Sequence, residues 1–159
     1  MKQKLEKKSI QDQLIDHMNC IDQEISNSNR EDSDSLRVLI IDDEIIMQNS
    51  LKRIFQSKNF KTFYADNLFT ACFNIKKYRP HIVTLDLNLN GYSGVELVKI
   101  KEKYFSECLV IVISGEDLNK LEEAVNLGAD IYLKKPFEKN DLEKIIDKFF
   151  GNYQLKNAS

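Results

Sequence analysis

The sequence predicts an α/β fold, in which a doubly wound five-stranded parallel sheet carries helices on both faces and is preceded by an extra N-terminal helix. From residue 36 onward, strand-like and helix-like segments alternate five times. Four of the five strand-like segments are nearly continuous apolar runs, which are typical of strands covered on both faces. Because crossovers between parallel strands are right-handed, these units favour a doubly wound topology.

Five strand–helix units follow one another along residues 36–150. The predicted strands are LRVLIID (36–42), KTFYA (61–65), HIVTLDL (81–87), CLVIVIS (108–114) and ADIYLKK (129–135). Helical spacing of apolar residues predicts the intervening and final helices at 44–59, 67–78, 94–104, 117–128 and 138–150. Pro80 follows the second of these helices, and Gly128 is suited to cap the fourth.

An amphipathic helix is predicted within residues 1–25, ahead of the sheet. Its apolar residues recur at spacings of three and four and form one stripe: Ile10, Leu14, Met18, Ile21 and Ile25. Ser9 and Asp12 form a candidate capping pair. A helix of about four turns is marginal alone in water, so the stripe should pack on this chain, on a second copy or on another protein. Residues 26–35 read as a flexible linker, and residues 151–159 as a C-terminal tail.

Composition excludes several classes of function. The chain is 42% apolar and 30% charged with a net charge of −2, which gives no basic surface for nucleic acid. Its three cysteines are scattered without metal-like spacing, as in reduced thiols of a cytoplasmic protein. The charged N-terminus is not a signal peptide, and no apolar run could insert in a membrane. Neither GxGxxG nor a P-loop is present.

Polar residues stand at the ends of four predicted strands. They are Asp42, Asp43, Asp86, Ser114 and Lys135. In a parallel sheet these strand ends meet at one edge, where doubly wound proteins bind ligands. Three carboxylates close together repel one another unless a cation compensates them, and hard oxygen ligands suit Mg²⁺. The ion and the lysine would then attract a phosphoryl group, and one carboxylate could act as a nucleophile.

Each of these residues also has an ordinary structural interpretation. An aspartate after a strand is usually a turn residue or a helix cap, and paired acids at a helix start are favourable to its dipole. A single lysine or serine carries little information. The combination on successive strand ends is what favours a site.

Residues 36–150 resemble the receiver domain of two-component response regulators, the family of the bacterial chemotaxis and sporulation phosphorelay regulators. The matching stretches are VLIIDDE, IVTLDLNLNGYSGVEL, VIVISGE and GADIYLKKPF. The resemblance implies a flavodoxin-like strand order, 2-1-3-4-5. It also implies a signalling switch rather than an enzyme, one that catalyses only its own phosphorylation and dephosphorylation.

The resemblance implies a role for each matching residue. Asp86 is the expected phosphoacceptor. The expected Mg²⁺ ligands are Asp43, Asp86, the backbone carbonyl of Asn88 and, through water, Asp42. Lys135, after which a cis bond to Pro136 is expected, and Ser114 would bind the phosphoryl oxygens. Ser114 and Tyr132 would switch the face formed by the fourth helix, fifth strand and fifth helix of the receiver. Asn88 and Glu116 would modulate the rate of dephosphorylation.

Two positions depart from the usual family pattern. The chain has Leu89-Asn90 where Met-Pro is usual, and Ser93 where an aspartate usually precedes the loop glycine. Loss of the proline is expected to loosen the loop and to alter metal affinity or reaction rate.

The expected partners are a histidine kinase or phosphotransfer protein and a downstream protein target. The target would bind the switching face or the N-terminal helix, and a homodimer is possible. The chain offers no segment for a helix-turn-helix after the last helix, so a protein contact is the expected output.

Three alternatives remain open at this point. The first is a Mg²⁺-dependent hydrolase of the haloacid dehalogenase type, although Asn88 replaces its second aspartate. The second is a receiver-like scaffold that works without phosphorylation. The third makes His17 a phosphohistidine donor, although one helix cannot build the usual four-helix bundle.

Overall fold

The computed structural model of the chain describes residues 7–25 and 34–157, with side chains as far as Gly151. The helices are α1 Ile10–Ile25, α2 Ile45–Ser57, α3 Leu68–Tyr78, α4 Val95–Lys99, α5 Lys101–Tyr104, α6 Leu118–Asn126 and α7 Lys139–Asn157. The strands are β1 Arg37–Ile41, β2 Lys61–Ala65, β3 Ile82–Leu85, β4 Asn88–Leu89, β5 Tyr92–Ser93, β6 Leu109–Ser114 and β7 Ile131–Lys134.

Five of the strands form one parallel sheet in the order β2-β1-β3-β6-β7. This is the predicted order 2-1-3-4-5, because β4 and β5 form a separate antiparallel hairpin between β3 and α4. The register aligns Ile41 with Leu85 and Leu85 with Val112, so β1 and β3 end level with each other and β6 continues beyond them to Ser114. The predicted fold class is confirmed.

Alternate residues of each strand point to opposite faces of the sheet, and both faces are covered. Leu39, Leu85 and Val112 belong to a core that also includes buried residues of α1, α3, α4 and α6. Val38, Ile40 and Ile113 belong to a second core that includes residues of α2 and α7. Coverage of both faces explains why the strands read as continuous apolar runs.

Helix α1 packs on the domain of its own chain. Its stripe residues Leu14, Met18 and Ile21 are at most 1% exposed and belong to the core beside α3 and α4. Polar contacts surround this stripe. Tyr104 donates a hydrogen bond to the Asn19 side chain (3.0 Å), and Lys76 pairs with Asp22 (2.8 Å). At the start of the helix the predicted cap forms, because the Asp12 N–H donates to Ser9 Oγ (3.1 Å).

Two of the predicted segments at the domain boundaries are the linker and the C-terminal tail. The predicted linker, 26–35, lies mostly outside the described residues. Helix α7 continues to Asn157, through most of the segment predicted as a tail. Among the described helices, none combines the length and apolar character needed to cross a bilayer.

Two of the three cysteines are buried. Burial raises the pKa of the Cys72 and Cys108 thiols to about 12, so neither forms a thiolate readily. Cys20 is exposed on α1.

Thr84 lies in the central strand β3 with its side-chain hydroxyl buried and without a hydrogen-bond partner among the described residues. Its neighbours across the sheet are Ile40 and Ile111. Because an unpaired buried hydroxyl is costly and valine has nearly the same shape, Thr84→Val should raise the free energy of unfolding by up to about 1 kcal/mol. Urea denaturation measures it. Thr84→Ser, which keeps the hydroxyl and loses the methyl, should destabilise the protein instead, and a destabilised valine variant would contradict the prediction.

Candidate functional site

An acidic cluster lies at the carboxyl edge of the sheet. Asp42 and Asp43 follow β1, and Asp86 follows β3, the strand next to it. One carboxylate oxygen from each of the three residues lies within 4.8 Å of the other two. Asp42 and Asp86 are 2% and 6% exposed, while Asp43 is only partly buried. Parallel pairing of β1 with β3 therefore brings together carboxylates that are far apart in the sequence.

Both carboxylate oxygens of Asp86 accept hydrogen bonds. Ser114 Oγ donates to Oδ1 (2.7 Å), as does the Asn88 N–H (3.1 Å), and Lys135 Nζ donates to Oδ2 (2.9 Å). The backbone around it is closely packed, because a Cβ added to Gly94 would collide with the Asp86 carbonyl oxygen. Gly94 is thus required at the end of the loop, and Asp86 is held from several sides.

Lys135 bridges two of the acids. Its Nζ lies 2.8 Å from Asp42 Oδ2 and 2.9 Å from Asp86 Oδ2, with its side chain 15% exposed. Burial acts to lower the pKa of Lys135, but hydrogen bonds to both carboxylates outweigh burial and raise the pKa above its ordinary value. Burial also raises the pKa of the Asp42 carboxyl, although the hydrogen bonds from Lys135 and from the Glu44 N–H oppose this change. Lys135 shares its single ammonium between two carboxylates, so its effect on the pKa of Asp42 is too small to offset burial.

The loop after β6 carries Ser114 and is tied to β7. The Lys135 N–H donates to the Ser114 carbonyl (2.9 Å), and Lys134 Nζ donates to the carbonyls of Gly115 (3.2 Å) and Glu116 (2.5 Å). The peptide bond between Lys135 and Pro136 is cis, which confirms the expectation from the sequence. These contacts fix the serine and the lysine relative to each other.

The remaining predicted residues lie on β7, on the segments that follow β6 and β3, and on α1. Tyr132 is half-buried on β7 and packs against the core that includes α6. The Glu116 carboxylate pairs with Lys120 (2.9 Å), and the Asn88 side chain is exposed. His17 lies elsewhere, in the interface between α1 and α3, where its ring contacts Phe69 edge-on at 5.5 Å between centroids. The structure therefore makes His17 an interface residue.

Two supporting groups were missed in the sequence analysis. Gln48 of α2 donates from Nε2 to the Asp42 carbonyl (2.6 Å), and nothing in the local sequence marks this contact. The β4–β5 hairpin places the Asn90 N–H 2.8 Å from Asp43 Oδ2. The Asn-Gly pair at 90–91 is a strong hairpin signal, so this second element could have been predicted.

The donor set of the cluster fits a hard divalent cation. Its side-chain ligands are carboxylate oxygens, and Lys135 compensates only part of their charge. Asp43 is the most open of the three, which leaves room for water ligands, as Mg²⁺ usually requires.

The fold and the acidic edge define a class of protein, and comparison with known sequences gives the same class. Residues 38–147 match the family model described as the response regulator receiver domain. The chain therefore belongs to the receiver domains of two-component response regulators, a family of signalling proteins. This assignment goes against the hydrolase alternative.

The match covers a different share of each relative's length. Sporulation initiation phosphotransferase F of Bacillus subtilis is 28% identical over 71% of this chain and 92% of its own length. Chemotaxis protein CheY of Halobacterium salinarum is 32% identical over 65% of this chain and 87% of its own. The match to transcriptional regulatory protein CrdR of Helicobacter pylori, 30% identical, covers 73% of this chain but only 55% of that protein.

A solved structure gives the same assignment. The signal receiver domain of a response regulator from Bermanella marisrubri is similar at a TM-score of 0.67 and 32% identity, over 72% of this chain and 97% of that one.

Proposed function

We propose that this chain is a phosphorylation switch in which Asp86 accepts a phosphoryl group from a phosphohistidine donor. The observation that carries the proposal is the position of Asp86, which contacts Lys135 and Ser114 directly and shares an acidic cluster with Asp42 and Asp43. No other described carboxylate combines these neighbours. The proposed functional unit is the predicted domain 36–150.

In the proposed reaction a carboxylate oxygen of Asp86 attacks phosphorus. The new O–P bond forms as the P–N bond to the donor imidazole breaks, and the electron pair of that bond stays on the imidazole nitrogen, which then takes up a proton. Lys135 is placed to move from Asp86 Oδ2 onto a phosphoryl oxygen, because it already lies 2.9 Å from the reacting carboxylate. Ser114 is placed to donate its hydroxyl hydrogen to another phosphoryl oxygen.

The proposed cofactor is Mg²⁺, held by Asp43, Asp86 and the backbone carbonyl of Asn88, with Asp42 acting through water. When bound, the ion would neutralise charge on the phosphoryl group and on the cluster. The cluster supports this proposal through its oxygen donors and its spacing.

The proposed output is a change of the surface formed by α6, β7 and α7. Ser114 at the end of β6 pairs in register with Lys134 of β7, and Tyr132 lies two residues earlier on the same strand. Displacement of Ser114 toward the phosphoryl group would alter the ties between the β6–α6 loop and Lys134, and with them the packing of Tyr132. The partners implied are a histidine kinase or phosphotransfer protein upstream and a protein target downstream.

Asn88 and Glu116 are proposed to tune the lifetime of the phosphorylated state. Both follow a reacting residue by two positions, Asn88 after Asp86 and Glu116 after Ser114. The ion pair between Glu116 and Lys120 would restrain the Glu116 side chain.

The proposal is tested by incubating the protein with Mg²⁺ and acetyl phosphate and measuring its intact mass. We expect one phosphoryl addition that hydroxylamine removes, as for an acyl phosphate. Asp86→Asn should abolish the addition, whereas Asp16→Asn, which changes an exposed aspartate of α1, should leave it intact. Equal labelling of the Asp86 variant would refute the assignment.

The scaffold alternative predicts a different outcome. There, neither acetyl phosphate nor beryllofluoride would change the mass or the NMR spectrum, and Asp86→Ala would retain partner binding.

A further inference from the structure

The loop after Asp86 folds as a tight hairpin. Strands β4 and β5 pair antiparallel, with Asn88 opposite Ser93 and Leu89 opposite Tyr92. Only Asn90 and Gly91 connect them, and their φ angles are +50° and +86°. Positive φ at both central residues is the requirement of a type I′ turn, for which Asn-Gly is the preferred pair. Local sequence therefore specifies this turn.

The hairpin is anchored to the rest of the domain. Leu89 is 1% exposed and belongs to the core that also includes residues of α1 and α4. On the other side of the loop, the Gly94 N–H donates to the Leu87 carbonyl (2.9 Å). A turn held at both ends can place a backbone group with little freedom.

The group that the turn places is the Asn90 N–H, which lies 2.8 Å from Asp43 Oδ2. Asp42 and Asp86 each receive a hydrogen bond from Lys135 and from at least one backbone N–H. Among the described residues, Asp43 receives a hydrogen bond only from Asn90. The orientation of the Asp43 carboxylate thus depends on one contact, which comes from the turn of the β4–β5 hairpin.

We propose that Asn90 is a positioning residue for the metal site, whose backbone N–H holds the Asp43 carboxylate in the orientation that binds Mg²⁺. The inference rests on the proposed function, because it assumes that Asp43 is a metal ligand. The bond restrains the Asp43 carboxylate through Oδ2, so Asp43 loses rotational freedom before the ion arrives. Groups that orient a metal ligand in this way are commonly worth ten-fold or more in affinity.

The proposal is specific to this chain rather than general for receiver domains. A proline at this position, as is usual in the family, has no N–H and a φ fixed near −65°, so it can neither make this bond nor occupy this turn. The unusual Asn-Gly pair thus supplies a contact to Asp43 that a proline could not make.

The direction in which Mg²⁺ affinity changes decides the proposal, because an N–H bonded to a metal ligand can act in two opposite ways. If the Asn90 N–H instead competed with the cation for the Asp43 carboxylate, removing it would strengthen Mg²⁺ binding. The proposal commits to weaker binding.

The experiment measures Mg²⁺ affinity by calorimetry or by ¹H–¹⁵N NMR, with no phosphoryl donor present. Asn90→Gly keeps the N–H and permits positive φ, so its affinity should stay within about two-fold of the parent, whereas Asn90→Pro should bind at least about ten-fold more weakly. Because proline also disturbs the turn, a second variant replaces the amide between Leu89 and Asn90 with an ester, which removes the N–H alone. It should weaken binding in the same direction.

The outcomes separate this inference from the proposed function. If the parent binds Mg²⁺, Asp43→Ala abolishes binding, and the proline and ester variants bind as tightly as the parent or more tightly, the inference is wrong while the metal site stands. If the parent binds no Mg²⁺, or Asp43→Ala changes nothing, the metal site itself is wrong and the inference fails with it.

Discussion

Leu14→Ala should lower the free energy of unfolding by about 3 kcal/mol, although Leu14 lies outside the predicted receiver domain. Leu14 is fully buried between α1 and the core of the sheet. Truncation removes its apolar contacts and leaves a cavity that close packing on both sides cannot easily refill. Urea denaturation with tyrosine fluorescence or circular dichroism as the signal measures the loss.

Gln23→Ala provides the matched control on the same helix. Gln23 is exposed, and its substitution should change stability by no more than about 0.5 kcal/mol. If Leu14→Ala were as harmless as this control, α1 would not be docked on its own domain in solution, and its stripe would be available to another partner. A parent protein whose own stability falls on dilution would instead indicate that α1 packs between two copies of the chain.

Lys135→Met should destabilise the metal-free protein at neutral pH by on the order of 2–4 kcal/mol. The variant keeps most of the side-chain volume but leaves Asp42 and Asp86, both nearly buried, without the ammonium that bridges them. Removing one partner of a buried ionic cluster is costly because the remaining charges stay desolvated. Mg²⁺ should restore part of the lost stability, since it supplies a replacement cation.

The pH dependence of this defect has a defined sign. Burial already raises the pKa of Asp42 in the folded parent, and loss of Lys135 should raise it further. The folded state then binds a proton at a higher pH than the unfolded state does, so stability falls as pH rises between the two pKa values. The defect should therefore shrink as pH is lowered from neutrality toward the ordinary carboxyl pKa of about 4.

Lys139→Met is the control for charge removal at a solvated site. Lys139 pairs with Glu143 on the surface of α7, and exposed pairs contribute little to stability. Its unfolding curve should be nearly superimposable on that of the parent at every pH. A Lys135 variant that behaved in the same way would show that the lysine does not compensate the acidic cluster.

The parallel sheet and most of the acidic site could be predicted from the sequence, for related reasons. Apolar runs and helical spacing are local patterns, so strands and helices could be placed from neighbouring residues alone. Once the strands are parallel, their carboxyl ends must meet at one edge, and the strand order and the length of the Lys135 side chain then bring Asp42, Asp86 and Lys135 together. The 36–150 domain boundary and the individual site roles stay predictions.

Other features depended on contacts between distant parts of the chain. Gln48 reaches the Asp42 carbonyl only because α2 returns over the end of β1. The Asn-Gly pair encodes the hairpin locally, but the proximity of its N–H to Asp43 requires the loops after β1 and β3 to lie side by side.

By itself the sequence determined that α1 is an amphipathic helix and that the receiver has an acidic carboxyl edge, because periodicity and strand order depend on the spacing of residues along the chain. Only the tertiary structure decided where that helix packs. The stripe of Leu14, Met18 and Ile21 would suit many apolar surfaces. The structure selects the surface beside α3 and α4, because polar partners lie at its border: Tyr104 pairs with Asn19, and Lys76 pairs with Asp22.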